Sequence, residues 1–139
     1  MTSDFILAIH ALVYMHHKKE VLSSEELATN ICTNPARIRK VMTKLVQHNL
    51  VVSKRGQFGG GYSYSEKLDI TLDMVAKIFE QEFVEIPWRS GDKNESCLIC
   101  SGMADYTDKL YQNINDVIYK YLKTITIDEV ENKLINREV

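Results

Sequence analysis

The sequence predicts a mainly α-helical chain with one small β-hairpin and a long helix in its C-terminal part. Three observations carry this expectation. Apolar residues recur at helical spacing over most of the chain. Four of the six glycines crowd into "SKRGQFGGGY", residues 53–62. Beyond residue 99, an apolar seam runs at steps of three and four. The 139 residues suffice for a core of their own. The expected division is a DNA-reading head over 1–83 and, over 84–139, a Cys-containing loop, a long helix and a short one.

"DFILAIHALVYMHHK" reads as the first helix, capped by Ser3 or Asp4, with Phe5, Ile6, Ile9, Leu12 and Val13 as its apolar stripe. "SSEELATNI" reads as the second, because Ser23 and Glu26 have the spacing of a capping box and Leu27 and Ile31 share a face. After the break "CTN", Asn34 is a good N-cap and Pro35 suits the first helical position, where no N–H is needed. In this third helix, "PARIRKVMTKLVQHNL", Ile38, Val41, Met42 and Leu45 fall on one arc. Ala36, Arg39, Lys40, Thr43, Lys44 and Gln47 fall on the other, with Arg37 on the flank.

The glycine-rich stretch comes next. Phosphate-cradling loops require a helix directly after the glycines, whereas here "YSYS" alternates like a strand. "LVVS" and "YSYS" therefore read as a hairpin with Lys54 and Arg55 at its tip, and Phe58 and Tyr62 as its anchors on the domain. "ITLDMVAKIFEQE" reads as a helix capped by Thr71, and residues 84–96 as a loop. A long helix is expected from Ser96, carrying Ile99, Met103, Tyr106, Leu110, Ile114, Val117 and Tyr121 as a helix-packing seam. "IDEVENKLIN" closes the chain as a short helix with Thr126 and Glu129 as a second capping box.

Charge turns this order into a function. Residues 1–65 carry +4 and residues 66–139 carry −6, giving the net −2, and no acidic residue occurs from Leu27 to Ser65. Two helices joined by a tight turn, the second exposing Arg, Lys, Thr and Gln, suit the major groove of DNA. A hairpin that follows directly makes the order that of a winged helix-turn-helix. Candidate DNA contacts are Asn34, Ala36, Arg37, Arg39, Lys40, Thr43 and Lys44 on the helix, with Lys54, Arg55, Gly56 and Gly60 on the wing. Arg55 is the best suited of these to a narrow minor groove. The seam from Met103 through Tyr106, Leu110, Ile114 and Val117 to Tyr121 points to a homodimer, with packing inside one subunit as the alternative. No apolar run reaches the roughly 20 residues of a membrane span and no signal-peptide pattern opens the chain, so no membrane partner and a cytoplasmic location are expected.

These features resemble the Rrf-type winged-helix transcription regulators of bacteria, whose members include IscR, NsrR and CymR. The matching stretches are "SSEELATNICTNPARIRKVMTKLVQHNLVVSKRGQFGGGYSYS" with its R-G-x-x-G-G wing, "DITLDMVAKIFE", and a Cys-containing loop before a long helix. The resemblance implies a homodimer on an approximately palindromic double-stranded operator, usually repressing, with a signal received near the long helix. It carries DNA contact onto Asn34 to Lys44 and Arg55 to Gly61. Cluster-binding members use three cysteines in that loop, whereas this chain has only Cys97 and Cys100 there, and "TNPARIRK" looks closer to a thiol-sensing branch resembling HypR.

Redox sensing through thiols is therefore the expected input, with no cofactor. Cys97, in the first turn of the long helix and near Lys93, is the expected reactive thiol. Cys100 or a half-buried Cys32 would resolve it, and both bonds remain open. A zinc or iron-sulfur effector is the alternative, although none of the four histidines is spaced as a partner for Cys-x-x-Cys. A thiol oxidoreductase using "CLIC" is a third reading. It lacks the strand-helix-strand context such enzymes show, and no enzyme activity is expected.

Overall fold

The structure, a computed structural model, describes residues 3–56, 60–66 and 69–137. The described residues form six helices and one hairpin, in order α1 (Ser3–Lys18), α2 (Ser24–Ile31), α3 (Pro35–Gln47), β1 (Val51–Lys54), β2 (Gly61–Tyr64), α4 (Leu72–Ile78), α5 (Leu98–Leu122) and α6 (Ile127–Ile135). Among the described residues, no helix is long and apolar enough to cross a membrane.

α2 and α3 begin where their caps dictate, whereas α1 already includes Ser3 and Asp4, the residues expected to cap it. The Ser23 hydroxyl accepts from the Glu26 N–H at 3.1 Å and opens α2. Cys32, in the left-handed region at φ 63°, closes it. Asn34 Oδ1 accepts from the Arg37 N–H at 2.8 Å and Pro35 occupies the first turn of α3. α3 then buries Ile38, Val41, Met42 and Leu45 against Leu12, Met15 and Leu27. Each such fully buried aliphatic side chain contributes on the order of 1.5–3 kcal/mol.

α1 departs from its expected stripe. Phe5, Leu12 and Val13 are buried, but so are Leu7, Ala8, Ala11 and Met15, and Ile6 is 58% exposed. α1 is apolar nearly all round because it lies at the centre of the domain, packed by α2, α3, α4, α6 and β2.

β1 and β2 pair antiparallel, with Val51 opposite Tyr64 and Lys54 opposite Gly61. Leu22, between α1 and α2, adds a short bridge to the hairpin: its N–H donates to Tyr62 O at 2.9 Å and its carbonyl accepts from the Tyr62 N–H at 2.8 Å. This contact explains Gly61, since a Cβ there would lie 2.3 Å from Leu22 O. Phe58, expected to anchor the wing, lies outside the described residues. Tyr62, half-buried against the core, does anchor it.

α4 is shorter than its apolar pattern suggests. Glu80 adopts φ 49° and the Gln81 N–H turns back to Ala76 O at 2.9 Å, which ends the helix. α5 starts one residue later than expected, with Cys97 rather than Ser96 at its N-cap. Its described residues include none that is buried. Instead α5 is tied to the head near its C-terminal end. Asn115 Oδ1 accepts from the N–H groups of Phe83 (2.9 Å) and Val84 (3.1 Å), and the Tyr119 hydroxyl donates to Gln81 O at 2.6 Å. α6 returns to α1. Ile127, fully buried, joins the head's core, its N–H donating to Ile70 O at 2.9 Å, while Leu72 N–H donates to Ile125 O at 3.0 Å.

Candidate nucleic-acid interface and effector site

The core-facing arc of α3 leaves the opposite arc in solvent, and Ala36, Arg39, Lys40, Thr43, Lys44 and Gln47 are all exposed there. Burial of Ile38, Val41, Met42 and Leu45 fixes this rotation. Individual roles divide further. Asn34 spends its side-chain oxygen on the cap, and Arg37 binds α1, hydrogen-bonding the Ser3 hydroxyl and standing 3.5 Å from the Asp4 carboxylate. Thr43 donates to Arg39 O at 2.8 Å, Arg39 lies 4.0 Å from Glu25 across open surface, and Lys44 Nζ sits 5.4 Å from the centre of the Phe79 ring. Arg39, Lys40 and Lys44 thus present the cations of this face.

The wing adds Lys54, Arg55 and Gly56, all exposed, while Gly60 is partly covered. Lys54, Arg55, Gly56 and Gly60 line a polar cleft of about 410 Å³ together with Ser23, Ser24 and Glu25 at the start of α2. The hairpin cations and the first turn of α2 therefore face one shared space.

The thiols form no disulfide. Cys97 is exposed, Cys100 is half-buried, and all three cysteines are free. Cys32 is exposed rather than half-buried, at the far end of α2, with its Sγ 3.9 Å from Thr29 O. At the α5 N-cap, the backbone N–H groups of Cys100 and Ile99 face the Cys97 sulfur and hold its thiol below the ordinary range. Lys93, expected to assist, pairs with Asp105 at 3.4 Å. Two thiols on one helical turn supply half of a four-thiolate set. Among the described residues no third ligand gathers with them, so one chain does not fit an iron-sulfur cluster.

A different ligand set does assemble. His16, in the last turn of α1, meets Asp128 and Glu131, three residues apart on one face of α6, with one ligand atom of each lying within 4.8 Å of the others. His16 Nδ1 hydrogen-bonds Glu131 Oε2, and His17 Nδ1 lies 3.0 Å from Glu131 Oε1. Burial pushes the Glu131 carboxyl up, but the hydrogen bonds and charges of His16 and His17 outweigh it and leave the group lowered. The His16 ring also meets the Tyr64 ring edge to face, with centroids 4.8 Å apart. Burial, together with the charges of Asp69, Asp128 and Glu131, pushes the Tyr64 hydroxyl up to about 12 against a hydrogen bond from the Ile70 backbone.

Sequence reading missed this cluster because its halves are more than 110 residues apart. The adjacent histidines and the "DEVE" run were visible, but nothing local links them. It also missed Trp88, in the loop before α5, and Leu98, both exposed apolar side chains. The seam residues of α5 are left in solvent within one chain. Ile99, Met103, Tyr106, Leu110, Ile114, Val117 and Tyr121 are all exposed, Ile99 at 77% and Leu110 at 42%.

A capped helix-turn-helix with a cationic outer face, a glycine-built wing beside it and a long protruding helix define a DNA-binding transcription regulator of the winged class. The chain belongs to the Rrf2 family, described as iron-dependent transcriptional regulators, whose profile matches residues 1–133. Solved structures share the fold. A transcriptional regulator from Lactobacillus plantarum is 22% identical with a TM-score of 0.78, covering 96% of this chain and 91% of its own. IscR from T. potens is 15% identical with a TM-score of 0.71, covering 100% and 90%. CymR, the global cysteine regulator of B. subtilis, is 18% identical with a TM-score of 0.68, covering 95% of each chain. No curated protein is matched by the sequence.

Proposed function

We propose that this chain is a homodimeric, cytoplasmic repressor that binds a two-fold operator and whose DNA affinity responds to a divalent metal held by nitrogen and oxygen donors. The observation that carries the DNA half is the exposed Arg39, Lys40 and Lys44 face of α3 beside the Lys54 and Arg55 wing, on a surface with no acidic residue of its own from Leu27 to Ser65. α3 enters the major groove, where Arg39 reads a base edge and Lys40 and Lys44 neutralise phosphates. The wing reaches the neighbouring backbone, with Arg55 foremost. Ala36 and Thr43 give the helix close approach, whereas Asn34 and Arg37 act by setting its start and its seat on α1.

Dimerisation is assigned to α5. A 25-residue helix is about 37 Å long, and its seam from Met103 to Tyr121 is too apolar to remain in water over that length. Two copies packed along it would set two α3 helices against successive half-sites. Fluorescence anisotropy with DNA selected from a random library, alongside sedimentation, tests both halves. A monomer that binds all duplexes alike would reject the reading.

The metal input is favoured over a thiol input by the three-ligand cluster on α1 and α6. One observation keeps a thiol reading, like that of the HypR-type branch, as second. The exposed Cys97 sulfur at the α5 N-cap is made acidic by backbone N–H groups, one turn from Cys100. Oxidant-dependent loss of DNA binding that persists after metal removal, and vanishes in Cys97→Ser, would put it first.

A further inference from the structure

The geometry points to a first-row divalent metal site formed by His16, Asp128 and Glu131 that locks the wing hairpin through the His16–Tyr64 ring contact. This proposal rests on the operator-binding reading for its regulatory half only; the site itself stands on the ligand geometry.

The donors are of the right kind and nearly in place. Ligand atoms bound about 2.0–2.2 Å from one ion stand about 3–4 Å apart. Here the three atoms already lie within 4.8 Å of one another, and His16 Nε2 is 4.0 Å from Asp128 Oδ1. Glu131 meets Nδ1 of the His16 ring and Asp128 its Nε2, so the set closes on one ion when the ring turns to offer a single nitrogen to both carboxylates. The backbone fixes the approach: Asp128 and Glu131 are one helical turn apart on α6, and α6 packs lengthwise on α1, which carries His16. His17 Nδ1 holds Glu131 Oε1 at 3.0 Å, which orients the carboxylate and leaves its other oxygen turned to His16. One imidazole with two carboxylates suits zinc, iron(II) or manganese(II), and three protein ligands leave room for water. A magnesium or calcium ion, which prefers oxygen alone, is disfavoured.

The coupling follows from where His16 sits. Its ring lies against Tyr64, the last residue of β2, and Tyr64 is paired with Val51 of β1. An ion that fixes the imidazole also joins α1 to α6 and narrows the positions Tyr64 can take, so the hairpin is held in the arrangement that the exposed Lys54 and Arg55 need. A ligand that binds one arrangement better shifts the population toward it, and DNA bound in that arrangement must in turn tighten the ion.

The test uses the full chain stripped of metal. Cobalt(II), zinc and anaerobic iron(II) are titrated by calorimetry, with cobalt(II) also followed by its visible ligand-field bands, and magnesium serves as control. The expected result is one cobalt(II) per chain with nitrogen-oxygen bands and no thiolate charge transfer. Binding should be lost in both Asp128→Asn and His16→Gln and retained in the Cys97→Ser, Cys100→Ser double variant. Asp128 is exposed, so Asp128→Asn should fold, which circular dichroism checks. Unchanged cobalt(II) binding in Asp128→Asn, or binding that disappears with the cysteines, overturns the site. In the second arm, zinc should tighten a library-selected duplex by at least about fivefold, the lower range of allosteric coupling, in the parent and not in Asp128→Asn. Normal metal binding with unaltered DNA affinity overturns the wing lock and leaves the site standing. Failure to bind any duplex, with metal binding intact, overturns the operator reading instead.

Discussion

Gly61→Ala is the most direct probe of how the wing is held. At this position an added Cβ would stand 2.3 Å from Leu22 O and 2.7 Å from Leu22 C, both backbone atoms that no side-chain rotation can move aside. Either β2 or the Leu22 segment must retreat. Retreat breaks the pair of hydrogen bonds that Leu22 and Tyr62 exchange at 2.9 and 2.8 Å. At about 0.5–1.5 kcal/mol net for each bond, the loss is about 1–3 kcal/mol. Opposing it is the stiffening of the unfolded chain, which favours alanine by about 0.4–1 kcal/mol. The variant should therefore be less stable than the parent by roughly 1–2 kcal/mol, read by urea unfolding with an unchanged slope. Operator affinity should fall as well under conditions where the protein remains folded, because Lys54 and Arg55 move with the strand. Equal or higher stability in Gly61→Ala would refute the claim that this glycine exists for close approach.

Arg39→Ala should cost about 1–3 kcal/mol of operator affinity and relax base preference, whereas Lys44→Gln should weaken all duplexes alike and lower the salt slope by about one; anisotropy at several salt concentrations separates the two. Leu110→Glu places a charge in the middle of the α5 seam, and sedimentation should show monomers with poor operator affinity; a dimer unaffected by it would move the interface elsewhere. Cys97 should alkylate faster than Cys100 near neutral pH, as peptide mapping after brief iodoacetamide treatment would show; equal rates would remove the basis for a special Cys97. Acid should destabilise the fold partly through Asp73, nearly buried on α4, whose carboxyl is raised by burial but lowered further by hydrogen bonds from Thr71 and Lys77 and by the Lys77 charge. A carboxyl lowered on folding stabilises above its unfolded pKa of about 3.9 and loses that contribution as pH falls through the folded value. The loss of stability between about pH 5 and pH 3 should therefore be shallower in Asp73→Asn, a comparison made by urea unfolding at each pH.

Most of the DNA-reading half was legible because its determinants are local. Asn34 and Pro35 set where α3 begins, Ile38, Val41, Met42 and Leu45 set its rotation, and the cationic arc follows by geometry. The α5 seam was legible for the same reason, since a period of three and four survives without knowledge of neighbours. What failed was non-local. Ile6 was expected in the core from α1's own periodicity, yet that helix is surrounded on most sides and Ile6 is left at a groove beside α6. The contacts of Arg37 with Ser3 and Asp4 of α1 were equally out of reach of local spacing. The His16, Asp128 and Glu131 set depends wholly on α6 folding back on α1, which no spacing rule foretells.

That return of α6 has a consequence for biosynthesis. The ribosome delivers α1 first, but Ile127, which completes the packing around it, arrives only after 126 residues have been made. A nascent chain carrying α3 and the wing still lacks the hydrogen bonds in which the Ile125 carbonyl accepts from the Leu72 N–H and the Ile127 N–H donates to Ile70 O. Packing that joins the two ends of a chain forms late and leaves apolar surface uncovered meanwhile. A translation product that stops before Thr126 would thus carry α3 and the wing yet lack this closing contact.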